Sequence, residues 1–381
     1  MRVIVVGAGV IGCAVALELC RRGAEVVLIE GYAEGGHTSA ASAGMVNPFS
    51  LTPSETPALA MYWRSRQMYP EWTRTLYEET GIDPEWRDTG CLRIALTPAD
   101  AEHLRTNLEW IRRYDTAAEL LEAHAARQIE PALNDAIELA LHLPSEGWVH
   151  TERLLRALHR AVQLNGVKFY TGYPVLSLLH RSGRAYGVRT AHGVMESDAI
   201  VVATGAWTTA LLLPLKIHVP VEPVRGVILK LGDLPVPVRR ILSAPVGYLV
   251  PRADGTALIG ATREQAGYNM YATAEGYAHL LQALSRIAPA LLHATVLGHT
   301  VGLRPDTPDH SPYIGTVQGY ERLYLAAGHA YHGILLAPAT ARAVADLILN
   351  GATELPIAPF DPNRFLREND AQISCHQTDG L

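Results

Sequence analysis

The chain has 381 residues, 48% of them hydrophobic and 18% charged, with a formal net charge of −6. That length accommodates two domains and a sizeable core, and the acidic balance argues against a nucleic-acid partner. No uninterrupted apolar run reaches the ~20 residues of a membrane-spanning helix, and the cysteines (Cys13, Cys20, Cys91, Cys375) form no C-x-x-C pair, so neither a zinc site nor a redox-active disulfide is indicated.

Val3 to Val6 is a short apolar run bounded by glycine, which predicts a buried parallel strand. Gly7, Gly9 and Gly12 complete G-x-G-x-x-G. Val10 to Arg22 has helical composition, is stopped by Gly23, and carries Cys13 and Cys20 as packing residues of a reducing compartment. Val26 to Ile29 predicts a second strand, and Glu30 lies 18 residues after Gly12. In this pattern the first glycine makes the tight turn and the second admits a pyrophosphate close to the backbone. The third lets helix pack on strand, and the helix N-terminus stabilises phosphate charge. Glu30 suits ribose hydroxyls and repels a 2′-phosphate; NAD and FAD both satisfy it. Glycines interrupt this apolar run, so it reads as mature cytoplasmic protein and not as a signal peptide.

Gly35 to Met45 is rich in small residues, with hydroxyls at Thr38, Ser39 and Ser42. It is either a backbone cradle for a flat ligand or a flexible surface loop. Thr56 to Thr80 predicts one long helix, or two broken at Pro70, whose aromatics Tyr62, Trp63, Tyr69, Trp72 and Tyr77 read as core. Trp86 to Leu96 reads as strand pieces around Gly90. Pro98 to Arg113, capped by Thr97, and Ala117 to Ile129 read as helices. Ile137 to Leu143 predicts a strand, and Glu152 to Leu164 a helix ended by Asn165-Gly166. Strands follow at Val167–Tyr170, Val175–Leu179 and Tyr186–Thr190. A further buried strand opens into Ala203-Thr204-Gly205-Ala206-Trp207, a small-residue turn able to pass beneath a dinucleotide.

From about Val219 to Thr262 the chain is β-rich, with strands at Arg225–Leu231, Gly247–Pro251 and Ala257–Ala261. Ala274 to Ile287 is a helix, His299 to Leu303 a strand, and Arg322 to Ala326 another. Gly328-His-Ala-Tyr-His-Gly333 is a tight loop. Its histidines, His329 and His332, lack a third ligand in sequence, so no metal is expected. Ile334 to Leu349 is a helix despite Pro338, and the polar tail beyond Pro362 frays.

These segments together resemble the D-amino acid oxidase-like flavoproteins, and within them the glycine oxidase type of thiamine biosynthesis. The carrying motifs are Val5-Val-Gly-Ala-Gly-Val-Ile-Gly12, Ser39-Ala-Ala-Ser-Ala-Gly-Met45, Val202-Ala-Thr-Gly-Ala-Trp207 and Tyr248-Leu-Val-Pro-Arg252. Gly260-Ala-Thr262, Gly302-Leu-Arg-Pro-Asp-Thr307, Pro312-Tyr-Ile-Gly315 and Gly333-Ile-Leu-Leu-Ala-Pro-Ala-Thr340 follow in the family's order. The resemblance covers most of the chain. It implies an α/β fold. A Rossmann-like FAD-binding domain, split over 1–55, 137–215 and 302–381, interleaves with an α+β substrate domain, 56–136 and 216–301, built on a mostly antiparallel sheet.

The activity implied is FAD-dependent oxidative deamination of glycine or another small amino acid, with O2 as electron acceptor and a role in thiamine thiazole biosynthesis. The alternative is a D-amino acid dehydrogenase that passes electrons to a quinone or carrier. A noncatalytic flavin-binding protein is the remaining rival. Carried over by position, Arg304 grips the substrate carboxylate, where a guanidinium fork makes two parallel charge-assisted hydrogen bonds, and Tyr248 holds the same group. The resemblance assigns FAD to Gly7, Gly9, Gly12, Glu30, Thr38, Ser39, Ala43, Gly44, Met45 and Val175. It also assigns FAD to Ala203, Thr204, Gly205, Trp207, Gly302, Tyr331, His332, Gly333, Ile334 and Leu335. Noncovalent FAD is implied, because relatives that attach it use a cysteine in the C-terminal third and only Cys375 lies there. A homo-oligomer is also implied. Tyr331-His332 stand where glycine oxidases commonly carry Arg-Asn. Arg263 replaces a methionine found in some relatives, and either lines the pocket as a second cation or sits on the surface.

Overall fold

A computed structural model describes residues 1–32 and 37–365. The chain divides into two compact units: Met1–His37, Leu158–Pro223 and Arg304–Leu381 form one, and Thr38–Ala157 with Val224–Leu303 the other.

The first unit is built on a twisted sheet. Lys168–Tyr170, Glu25–Ile29, Arg2–Val6, Ala199–Val202 and Tyr320–Ala327 lie side by side in that order, all parallel. Val3 stands opposite Val26 on one side and Ala199 on the other. A strand with neighbours on both edges and helices on its faces buries every side chain. Val3, Ile4 and Val5 are accordingly fully buried, which accounts for an apolar run without alternation. Arg184–Thr190 extends the sheet beyond Tyr320–Ala327, and Val175–Arg181, Gly193–Glu196 and Tyr313–Val317 are antiparallel additions. The last two of these have no counterpart in the sequence reading.

The helix Val10–Arg21 buries nine of its twelve residues and packs against the helix Gly333–Asn350. That second helix is long and apolar enough to cross a membrane by length and composition, but 67% of it is buried within the protein, as for a core helix. Pro338 sits inside it, where the missing N–H removes one hydrogen bond from the helix.

The second unit holds an eight-stranded sheet, ordered Thr295–Asp306, Glu222–Gly232, Ala257–Gly260, Gly247–Pro251, Ile241–Ala244, Cys91–Ala95, Leu139–Leu143 and Glu119–Glu122. Ile241–Ala244 runs parallel to Cys91–Ala95, and the other described pairings are antiparallel. Leu92, Ile94, Leu229, Leu249, Ile259, Leu280 and Leu284 share its core. The helix Ala274–Ile287 is capped by Thr273, whose hydroxyl accepts from the Gly276 N–H at 3.1 Å. Thr97 caps Pro98–Ile111 in the same way, and Asp100 returns a bond to the Leu96 N–H at 3.1 Å.

Some expectations are corrected by the structure and others are decided by it. Ala117–Ile129 is not one helix: Glu119–Glu122 is an edge strand and only Ala123–Ile129 is helical. Leu120 and Leu121 pair with Leu141 and Ala140, and that tertiary pairing outweighs a weak helical preference. Leu59–Thr80 is a single helix with Pro70 inside it. Of its aromatics, Tyr62 and Tyr69 are buried, whereas Tyr77 is exposed. Residues 38–55 and 137–157 lie in the second of the two compact units. Leu139–Leu143 lies between two strands of the second sheet. Met45–Val46 pairs with Gly147–Trp148, and the buried Glu146 carboxylate accepts the N–H groups of Phe49 and Ser50 at 2.7 and 2.8 Å.

Candidate active site

In the first unit, Gly7 has φ +103°, and a Cβ there would stand 2.4 Å from the Ala203 carbonyl oxygen. A Cβ on Gly12 would stand 1.8 Å from the Gly7 oxygen. Both positions therefore admit only glycine, the first for the turn and the second for the close helix. Gly9 caps Val10–Arg21 without a side-chain bond, and no acid lies in the first turn to compete with a bound anion. Glu30 is nearly buried. Its Oε2 accepts the Ala8 N–H at 2.9 Å and its Oε1 accepts the Tyr32 N–H at 3.1 Å. The acid thus braces the glycine turn as well as closing the motif, a role that spacing alone did not reveal.

Ala203 follows directly, its N–H donating to the Val6 carbonyl at 2.8 Å. Gly205 takes φ +53°, Thr204 and Thr208 share a hydroxyl contact at 3.1 Å, and the Trp207 ring meets Tyr32 edge-on at 5.8 Å. Tyr173 donates its N–H to the Glu30 carbonyl, and Pro174 lies against Gly31, which brings half-buried Val175 close to the Glu30 end of that strand. The first unit thus brings together Gly7, Gly9, Gly12, Glu30 and Ala203–Trp207.

The loop Gly328–His332 is also in this unit. A Cβ on Gly328 would lie 2.6 Å from Thr307, and the Ala330 N–H donates to the Pro305 carbonyl at 3.0 Å. These ties carry Tyr331 to Arg304, whose guanidinium lies 5.8 Å from the centre of the Tyr331 ring. His310 and Asp306 pair at 2.7 Å, and the His310 ring lies 5.8 Å from that of Tyr331. His329 Nε2 meets the Thr340 hydroxyl at 3.1 Å. Burial, aided by the neighbouring His332, pushes His329 down to about 3; burial and His310 push His332 down to about 4. Both rings are therefore neutral near pH 7. His332 caps the helix that begins Gly333-Ile334-Leu335, which has no acid in its first turn. Among the described residues no cluster of three or more His, Cys, Asp or Glu is placed to hold a metal.

In the second unit, Thr38 and Ser39 lie in the single helical turn His37–Ala40 and not in an irregular loop. Gly35 and Gly36 fall outside the described residues. The Thr38 hydroxyl donates to the Leu303 carbonyl at 3.0 Å. A Cβ on Gly302 would stand 3.2 Å from Ala41 and 3.4 Å from Thr38, so glycine there lets the strand approach this turn. Gly44 takes φ +74°, its N–H donates to the Ser42 hydroxyl, and Met45 is buried. Tyr248 is half-buried in Gly247–Pro251 opposite Gly260, where a Cβ would lie 2.6 Å from the tyrosine ring. Arg263 is exposed. Arg304 and Tyr248 belong to different units.

The sequence pattern of the DAO family, FAD-dependent oxidoreductases, matches residues 2–347. The chain belongs to this family. It is 34% identical to the glycine oxidase of Pseudomonas putida over 95% of this chain and 98% of that one. It is also 34% identical to a bifunctional ThiO/ThiG protein of Synechocystis over 98% of this chain, which corresponds to 55% of that longer protein. The crystal structure of glycine oxidase from Geobacillus kaustophilus superposes with a TM-score of 0.91 at 31% identity, over 95% of this chain and 99% of that one.

As a DAO-family enzyme the chain uses FAD, and the residues present fit that group. Gly7 and Gly12 let the turn close tightly against backbone ahead of a helix N-terminus with no acid in its first turn, which suits a pyrophosphate, and the Glu30 carboxylate retains acceptor capacity beyond its two backbone bonds. Four polar residues escaped the sequence reading. Thr151, Thr300 and Arg252 hold the 40–44 turn, and Glu146 holds the Phe49–Ser50 turn. None lies in a motif that announces such a role. Arg252 ends Tyr248-Leu-Val-Pro-Arg252, and its position there was the one available signal.

Proposed function

We propose that this flavoenzyme oxidises glycine or another small amino acid to the imine, which water converts to the oxo acid and ammonia. O2 takes the electrons and leaves as hydrogen peroxide. The observation that carries this reading is the 34% identity to a glycine oxidase over nearly the whole of both chains. FAD, when bound, supplies the acceptor for the hydride leaving Cα.

The protein's part is orientation. Arg304 takes the substrate carboxylate through its guanidinium fork, and the Tyr331 ring beside it restricts the rotation of that fork. His329 and His332 are neutral, so the loop before Gly333 places no imidazolium there near pH 7. The start of Gly333–Asn350, free of acids, then offers the positive end of a helix dipole to negative charge that develops on the cofactor. An amine that arrives unprotonated needs no side-chain base. The likeness to ThiO-type relatives supports placing the reaction in thiamine thiazole formation.

The test is an anaerobic screen of flavin bleaching with glycine, sarcosine, D-alanine and D-proline, followed by admission of O2. Glycine or another of these should bleach the flavin, and O2 should return one peroxide per substrate. Bleaching followed by turnover only with an artificial acceptor would make the protein a dehydrogenase. Failure of every amino acid to bleach it would remove the catalytic reading.

A further inference from the structure

The turn Ala40–Gly44 is held to the rest of its unit through its carbonyl oxygens. The Thr151 hydroxyl lies 3.0 Å from the carbonyls of Ala40 and Ser42 and shares its single proton between them. Thr300 Oγ1 donates to Ala41 at 3.1 Å, and the Val149 N–H donates to Gly44 at 2.9 Å. The remaining carbonyl, that of Ala43, accepts from Arg252 Nη2 at 2.9 Å. Five consecutive carbonyls are thus taken up by donors from 149–151, 252 and 300. In a trans peptide the C=O of one residue and the N–H of the next lie on opposite sides. Donors that hold these carbonyls therefore turn the following N–H groups away from the supporting segments, and two of those groups bond within the turn, Ser42 N–H to the Ser39 carbonyl and Gly44 N–H to the Ser42 hydroxyl.

Arg252 differs from the other donors. Its guanidinium lies 4.9 Å from the centre of the Trp148 ring, and Trp148 pairs with Met45 immediately after the turn. Nη1 of Arg252 is buried with no hydrogen-bond partner among the described residues. Burial pulls the group down to about 10, so it remains a cation near pH 7. A buried cation is expensive to maintain, and a single neutral carbonyl would be served as well by a hydroxyl, as its neighbours are. The cation must therefore supply something a hydroxyl does not: a rigid planar fork that stacks on Trp148 while it fixes one peptide.

We propose that Arg252 is a positioning residue for the flavin: through the Ala43 carbonyl it sets the plane of the 43–44 peptide in the turn that receives the cofactor. The proposal rests on the reading of Ala43–Met45 as a flavin contact. Trp148 is the platform that keeps the fork in register. Loss of the fork leaves the 43–44 peptide restrained only by the Gly44 N–H on the Ser42 hydroxyl, and the turn then meets FAD in more than one conformation.

Full-length wild type, R252K, R252M and T151V are stripped of FAD and titrated with it. Flavin fluorescence gives the affinity and visible circular dichroism the environment of the bound ring. R252M should bind FAD at least tenfold more weakly, with an altered visible dichroism. R252K should be intermediate in both, since an ammonium reaches the carbonyl but does not stack as a plane. With FAD saturating, kcat should fall in R252M more than KM rises. T151V, which frees two carbonyls, should shift the dichroism in the same direction. Wild-type affinity and dichroism in soluble R252M would overturn the proposal. If R252M is insoluble, R252K decides, and wild-type affinity there overturns it equally. Insolubility of both would assign Arg252 to folding and remove the positioning role. Wild type that binds FAD but oxidises no amino acid would defeat the functional reading alone, because the affinity comparison stands without turnover.

Discussion

Two turns rich in small residues are built here in opposite ways. Gly7–Gly12 is determined by its own spacing: a turn glycine at φ +103°, a glycine against which no Cβ fits, and an acid at the end of the next strand. Ala40–Gly44 has equally small residues, but its shape comes from Thr151, Arg252 and Thr300, between 109 and 259 residues away in sequence. A locally built turn concentrates its energy in one or two atoms. A turn held from afar divides it among several bonds. Substitutions in the first kind of site should therefore be nearly all-or-none, and those in the second graded.

The largest effect belongs to a locally specified residue outside both turns. Arg304→Ala removes one partner of a charge-assisted pair with the substrate carboxylate, on the order of 2–5 kcal/mol, or about 30- to 5,000-fold in kcat/KM. FAD affinity should not change. Steady-state kinetics within twofold of wild type would end the carboxylate assignment and leave the glycine-rich turn as the sole concentrated site.

Gly12→Ala tests the concentrated turn itself. Its Cβ would enter to 1.8 Å of the Gly7 oxygen, and backbone has no rotamer with which to yield. The cost should reach or exceed the top of the ~1–3 kcal/mol usual for overpacking, with FAD binding lost and Tm lowered. An alanine variant that still bound FAD tightly would mean that the turn can relax, and the contrast with Ala40–Gly44 would weaken.

That contrast also explains how far the sequence could be read. The parallel strands, the glycine turn and the Ala203–Trp207 segment were legible because each is a contiguous run whose composition follows from burial on both faces. Glu119–Glu122 was not, since Ala117–Ile129 looks helical until Leu120 finds Leu141 across the sheet edge. Ile241–Ala244 is too short to show a period. Glu30 was placed by its spacing, but its bonds to the Ala8 and Tyr32 N–H groups needed coordinates. Thr151, Thr300 and Glu146 were invisible because a hydroxyl or charge that serves a distant carbonyl or amide leaves no pattern in its own neighbourhood, and Arg252 stood in a recognisable motif without its role.

Glu146 is a second example of such remote support, and pH tests it. Burial pushes its carboxyl up to about 7, from an ordinary 4.5, against the opposing backbone bonds from Ser50 and Phe49. Between those two values the native state retains a proton that the unfolded chain has released. Its contribution to stability is therefore full below 4.5 and is lost as pH rises through 7. Glu146→Gln should abolish that dependence, flattening the unfolding free energy across the window by on the order of 3 kcal/mol. Urea midpoints for both proteins on either side of the window measure it. Parallel pH profiles would show that Glu146 keeps one protonation state throughout.

Thr151→Val probes the shared scaffold by one donor. It leaves the Ala40 and Ser42 carbonyls without their hydroxyl while Thr300, Arg252 and Val149 continue to hold the other three. The loss should be about 1–2 kcal/mol of stability, with FAD still bound. Complete loss of FAD in T151V would contradict the division of labour and make this turn as concentrated as the glycine one.

The smallest effect is expected at Tyr331, where the two building modes meet. Arg304 is specified locally by Gly-Leu-Arg-Pro, yet its ring neighbour arrives from 27 residues later in sequence on a loop tied down by Gly328 and Ala330. A cation beside an aromatic face at this separation contributes about 0.5–1 kcal/mol. Tyr331→Leu should therefore raise KM about two- to fivefold with kcat nearly unchanged, because the guanidinium keeps its charge and loses only its orientation. Tyr331→Phe retains the ring and should match wild type. A phenylalanine variant as impaired as the leucine one would shift the role from the ring face to the phenolic hydroxyl. Tyr331 would then be a direct polar contact of the site and not a support for Arg304.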